Sequence, residues 1–269
     1  MTDAARWLKR FTASASASAS ASAAADGGAA TSRIVCFPHA GGAASAYQAW
    51  ARHLPAGTEL LAVQYPGRQD RLGEPCIESM AELADAVATV LAGLPELPTA
   101  VFGHSMGALV AYESVVRLAR NAPRALPAHL FVSATAAPAP GAERRTLPAL
   151  DDESLVAFTR RQGGTDPEVF RIPELRELLL PALRADIRLL TDYRPELPPV
   201  RLDLPLTAFG GDRDAGCPPA SLSTWAGLTT GAFTSRVFPG GHFWLQGREE
   251  EPAHLVAAAV PAPAGRSRA

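Results

Sequence analysis

Short runs of β-branched and aromatic residues alternate along the chain with longer segments of helical period. Six runs read as strands: Arg33–His39 (RIVCFPH), Glu59–Pro66 (ELLAVQYP), Thr99–His104 (TAVFGH), His129–Thr135 (HLFVSAT), Pro205–Gly211 (PLTAFGG) and Thr234–Gly240 (TSRVFPG). Their nearly continuous apolar character predicts burial on both faces, as in a parallel sheet, because a sheet with one wet face would alternate apolar and polar positions. Between the second and third runs a helix is predicted to open at Ser79. Glu82 follows at capping-box spacing, and Met80, Leu83, Val87, Val90 and Leu94 fall on one side. A second helix follows the third run (ALVAYESVVRLAR), and a last one lies around His254 (AHLVAAAV). Strand and helix alternating in this way make βαβ units and an α/β fold with a mostly parallel central sheet flanked by helices.

One stretch breaks the alternation. Residues 147–193 carry no strand signal, only helical patterning, clearest at Leu175, Leu179, Leu183, Ile187 and Leu190. It reads as a helical insertion between two strands, placed to form a lid over a site at the carboxyl ends of the sheet. At the other extreme, ASASASASASAAA (residues 13–25) has no large apolar side chain whose burial could offset ordering. Residues 1–32 therefore read as a low-complexity, disordered arm and 261–269 as a disordered fringe, with the folded domain spanning 33–260. The basic RWLKRF before the tract invites a signal-peptide reading, but Ala/Ser alternation is too polar for an h-region.

The chain has 269 residues, enough for one large core. A formal net charge of −2 leaves no basic footprint for nucleic acid, and no window is apolar and long enough to span a membrane. Cys36, Cys76 and Cys217 are odd in number, far apart and without CxxC spacing, which predicts neither a disulfide framework nor a metal site and fits a cytoplasmic protein.

The strongest chemical signal is GHSMG, Gly103–Gly107, between a predicted strand and a predicted helix. A serine at such a tight turn is held strained with its hydroxyl projecting, so Ser105 is the candidate nucleophile. The helix behind it aims free N–H groups at the site, making the Met106 N–H a candidate donor to a developing oxyanion. A serine hydroxyl needs a base, and the base an orienting acid, in the chain order Ser, Asp or Glu, His that the α/β-hydrolase fold uses. GGDRD (Gly210–Asp214) and GGH (Gly240–His242) both follow strands late in the chain. His242 is the candidate base; Asp212 and Asp214 share a loop, and spacing alone does not separate them. The second oxyanion donor is expected in FPHAGGAAS after the first strand, at the Ala40 N–H, with His39 organising the loop.

Taken in order, WLKRF, FPHAGGAASAY, QYPGRQDRL, FGHSMGALVAYE, LLLPALRADIRLLTDY, FGGDRD and VFPGGHFWL resemble the type II thioesterases that accompany polyketide synthases and nonribosomal peptide synthetases. The resemblance implies an α/β-hydrolase fold with a helical lid, no cofactor, and the last residue of G-x-x-D, Asp214, as the acid. It also implies an editing reaction: acyl or aminoacyl groups are hydrolysed from the phosphopantetheine thiol of an acyl or peptidyl carrier protein. Such carriers are acidic and could meet arginines such as Arg144, Arg145, Arg160 or Arg161. The Ala/Ser tract departs from the family pattern by separating WLKRF from the first strand. A general esterase or a product-releasing thioesterase would use the same three residues, and a non-catalytic binding protein on this fold would have no reason to keep them.

Overall fold

The computed structural model describes residues 3–12, 30–138, 147–164 and 167–260. Seven strands form one sheet: β1 (Leu8–Phe11), β2 (Ser32–Phe37), β3 (Thr58–Val63), β4 (Thr99–His104), β5 (His129–Ser133), β6 (Leu206–Gly211) and β7 (Phe233–Phe238). Their order is β1-β3-β2-β4-β5-β6-β7, parallel throughout except for β1, which runs antiparallel to β3.

The period of two along each strand divides its side chains between two apolar layers. Val35, Phe37, Val101, Val132 and Ala208 face the layer that buries α2 (Met80–Ala92) and α3 (Met106–Asn121). Ile34, Cys36, Phe102, Phe131 and Phe209 face the layer that buries Tyr47, Trp50 and α6 (Glu250–Ala258). Covering both faces is what a sheet of continuous apolar runs requires. The expected helix opening at Ser79 is α2, with Ser79 Oγ accepting the Glu82 N–H. β7 closes one edge and is mostly exposed, so its inner neighbour β6 is the last strand buried along its whole length.

After β3 the chain crosses β2 to build β4 on the far side, leaving a crevice where the order reverses, at the carboxyl ends of β2 and β4. Loops there are the usual place for a site in an open α/β sheet.

Across residues 147–193 the described part of the chain contains no strand, as the periodicity predicts. Its elements are α4 (Asp152–Gln162), a 3-10 turn at Pro167–Arg171, and α5 (Pro173–Asp192). Asp151 caps α4 by accepting the Ser154 N–H at 2.9 Å, and Gly163 ends it in the left-handed region at φ 81°. Leu155, Val156, Phe170, Leu180, Leu183 and Ile187 give this insertion a small core of its own.

One boundary is corrected. The folded part does not begin at Arg33: Asp3–Trp7 forms a short helix, α1, and β1 extends the sheet beyond β3. Trp7 and Leu8 are buried, the Arg71 guanidinium lies 4.1 Å from the centre of the Trp7 ring, and Arg6 and Arg71 both pair with Glu74. The Ala/Ser tract, the C-terminal fringe and Arg144–Arg145 lie outside the described residues. Arg160 and Arg161 are exposed in the last turn of α4.

Among the described residues no helix is long and apolar enough to cross a membrane. None of their His, Cys, Asp and Glu side chains form a group of three or more able to hold a metal ion.

Candidate active site

Ser105 stands between β4 and α3 with φ 55° and ψ −118°, a conformation a side chain adopts only under constraint. The constraint comes from close backbone packing. A Cβ on Gly107 would sit 2.1 Å from the Phe37 carbonyl oxygen, and one on Gly103 would sit 2.3 Å from that of Gly107. Only glycine permits the turn at both places. The Ser105 N–H donates to the Ser133 carbonyl at 2.8 Å, tying the turn to β5.

Two further loops bring their side chains to Ser105. His242 Nε2 lies 2.9 Å from Ser105 Oγ, and His242 Nδ1 lies 2.8 Å from Asp214 Oδ2. Asp214 and His242 are buried, 4% and 8% exposed. The other Asp214 oxygen accepts the N–H groups of Gly216 and Cys217, at 2.8 and 3.1 Å, which fixes the carboxylate's orientation.

Asp212 is elsewhere. Its Oδ1 accepts the Gly240 N–H at 2.8 Å, and the Arg213 N–H donates to the Gly240 carbonyl, so this exposed residue laces the Asp214 loop to the His242 loop. The structure thus separates two aspartates that spacing left equivalent. Trp244 anchors the His242 loop from the other end: it stacks on Phe238 at 3.9 Å and donates through Nε1 to Ser133 Oγ.

Both predicted oxyanion donors are backbone N–H groups with no acceptor among the described residues. Met106 is the first residue of α3, where an N–H has no acceptor within the helix. Ala40 lies in the loop after β2, and among the described residues its N–H has no acceptor either.

Sequence reasoning missed Phe243, Arg68 and Asp186. The Phe243 ring meets His39 edge-on at 4.7 Å and His242 at 5.2 Å. The end of α4 reaches the same loop: Gln246 Nε2 donates to the Gly164 carbonyl, and a Cβ on Gly164 would strike the Phe243 ring. Arg68 and Asp186 form a buried pair behind the Ala40 loop.

Burial pushes His39 down to about 3, with the charges of His242 and Arg68 adding to it, and drives the fully enclosed His104 well below the usual imidazole range. His129 is lowered by burial as well. In the unfolded chain these imidazoles take up a proton near pH 6.5, whereas in the folded chain they do so only at lower pH. Unfolding therefore binds protons in this window, so stability is fully present above pH 6.5 and is lost as the pH falls toward the folded values. The unfolding free energy from guanidinium denaturation should drop between pH 7 and 5, by at most about 1.4 kcal/mol per pH unit for each histidine. His104→Gln should flatten that slope; an unchanged slope would mean that His104 is charged in the fold.

A family model described as a thioesterase domain matches residues 32–266. The chain is 41% identical over 220 residues to thioesterase PikA5 of Streptomyces venezuelae, covering 81% of this chain and 77% of that one. It is 39% identical over 242 residues to a probable cadicidin biosynthesis thioesterase of Streptomyces griseus, covering 90% of this chain but only 62% of that longer relative. Among solved structures it resembles the type II thioesterase BorB from the borrelidin biosynthetic cluster. That match has a TM-score of 0.78 and 35% identity and covers 95% and 98% of the two chains.

Proposed function

This chain belongs to the thioesterase family, as a hydrolase of thioesters related to the type II enzymes of polyketide and nonribosomal peptide pathways, and on that premise we propose that Ser105, His242 and Asp214 are its catalytic triad. The observation that carries the assignment is the unbroken line of hydrogen bonds from Ser105 Oγ through the imidazole to a buried, backbone-pinned carboxylate. The substrate is an acyl or aminoacyl group on the phosphopantetheine thiol of a carrier protein, and the role is editing, the removal of stalled or misprimed units.

Ser105 Oγ attacks the thioester carbonyl while His242 Nε2 takes its proton. Asp214, accepting from Nδ1, holds the ring in the tautomer this requires and steadies the imidazolium that forms. The negative charge moves to the carbonyl oxygen, between the N–H groups of Ala40 and Met106, where fixed donors are worth far more than water. Collapse breaks the C–S bond, and His242 returns the proton to the departing thiol. Water then repeats the sequence on the acyl-serine, with His242 as base, to release the acid and restore Ser105. A thiolate leaves readily, so no metal is needed to activate it.

The helical insertion serves as the lid. It touches both loops that flank the reacting atoms, through Gly164 against Phe243 and through Leu183 near Gly41.

The test is a panel of short acyl groups carried on phosphopantetheinylated carrier protein, set against the same acyl groups as simple alcohol esters. We expect kcat/KM for the carrier-bound thioesters to exceed that for the esters by at least about 100-fold, the contribution of remote binding energy to the chemical step. Preference for the esters would overturn the carrier-protein reading and leave a general esterase.

A further inference from the structure

Every peptide of the loop carrying Ala40, from Phe37 to Ala44, makes at least one hydrogen bond. The Tyr47 hydroxyl donates to the Phe37 carbonyl at 2.9 Å and the Tyr65 hydroxyl to that of Pro38 at 3.3 Å. The Gly42 N–H closes a turn onto the His39 carbonyl, and the Ala44 N–H donates to Gln64 Oε1. The remaining two ties come from Asp186 and Arg68. Asp186 Oδ2 accepts the Gly41 N–H at 2.7 Å, and Arg68 Nη1 donates to the Gly42 carbonyl at 3.0 Å. Arg68 also grips Asp186 with both arms of its fork, at 2.7 and 2.9 Å. The pair is 7% and 1% exposed.

Asp186 comes from the middle of α5, in the insertion, whereas Arg68 follows β3 in the body of the domain. A buried ion pair is a poor device for stability alone, because well-packed apolar residues of like volume are commonly as stable or more so. An apolar pair cannot accept a backbone N–H. The Gly41 N–H is the donor on the peptide plane next to Ala40, so fixing that plane restricts how the Ala40 N–H can turn.

We propose that Asp186 and Arg68 are positioning residues for the oxyanion loop. Through them the aim of the Ala40 N–H depends on the seating of the helical insertion. This rests on the reading of Ala40 as an oxyanion donor. With α5 seated, the carboxylate holds Gly41 and the donor faces the reacting carbonyl; with α5 displaced, Gly41 loses its acceptor and Arg68, still on the Gly42 carbonyl, loses its carboxylate partner, so the loop can rotate. Neither residue touches substrate, and their effect falls on the transition state rather than on ground-state binding.

The test uses the full chain carrying both Arg68→Met and Asp186→Leu, which replaces the pair by apolar groups of similar length. Its Tm should stay within about five degrees of the parent, as for other buried pairs so replaced. We expect kcat to fall about 100-fold, the usual effect of losing one oxyanion donor, with KM within about threefold. Affinity for an alkylboronic acid, which forms a tetrahedral adduct on the serine, should fall by a similar factor. Full kcat in the folded double variant would overturn the proposal and leave the pair a structural tie. Should the double variant not fold, Asp186→Asn decides. It keeps the volume but sets an amide N–H against Arg68 Nη2, which draws the acceptor away from Gly41. It should lose about tenfold in kcat and in boronate affinity together, and parent values of both would overturn the proposal. Ser105→Ala run in parallel separates the two levels. If it still turns over, the reading of the whole site fails; if it is inactive while the pair variants are fully active, only the positioning role fails.

Discussion

Ser105→Ala is expected to lower the release of acetyl or propionyl groups from a carrier protein by about 10⁵- to 10⁶-fold, to the residue of catalysis that binding and oxyanion donors supply without a nucleophile. The size follows from the geometry. Ser105 Oγ is the only atom of that side chain within reach of His242 Nε2, and alanine removes it alone. The fold should survive, because alanine keeps the Cβ and adds nothing to the strained turn, and the Ser105 N–H to Ser133 bond belongs to the backbone. Single-turnover release of a labelled acyl group, with Tm as the control, measures the effect. Undiminished turnover would remove Ser105 from the chemistry.

The second large effect separates the two aspartates. Asp214→Asn should cost about 10⁴-fold in kcat, since an amide in place of Oδ2 cannot hold the Nδ1–H tautomer and leaves the developing imidazolium without its counter-charge. Asp212→Asn should cost no more than a fewfold. An asparagine oxygen can still accept the Gly240 N–H, and the exposed side chain lies outside the hydrogen-bonded line. Comparable losses in the two variants would withdraw the assignment of Asp214.

The parallel sheet was legible because burial on both faces leaves its mark in every strand it affects: Ile34 with Val35, or Phe102 with Val101, serve opposite layers from adjacent positions. The Ser105 turn was legible for a related reason, since its glycines answer to contacts made within a few residues. Asp212 and Asp214 were not separable, because what distinguishes them is a meeting with a loop 28 residues away. β1 escaped notice because four residues carry too little period to register, and the tract after it detaches it in the sequence from its partner β3. A usable signal was present for Asp186. It falls three residues after Leu183 and seven after Leu179, a charge set into the apolar stripe of a helix, and such a charge implies a buried partner.

The pairing of β1 bears on how chain length can vary in this protein. β1 and β2 flank β3 on opposite sides, with Phe11 opposite Leu60 and Ser32 opposite Thr58. The two ends to be joined therefore sit near the same end of β3, two strand spacings apart, roughly 10 Å. Four or five extended residues would reach that far, at about 3.3 Å each. Residues 12–31 provide several times as many, so geometry fixes where this connection starts and stops but not its length. Closure entropy rises only with the logarithm of length, about 0.6 kcal/mol for each doubling. A repeat of small residues can thus lengthen or shorten at this point while the strand pairing on either side of it is kept.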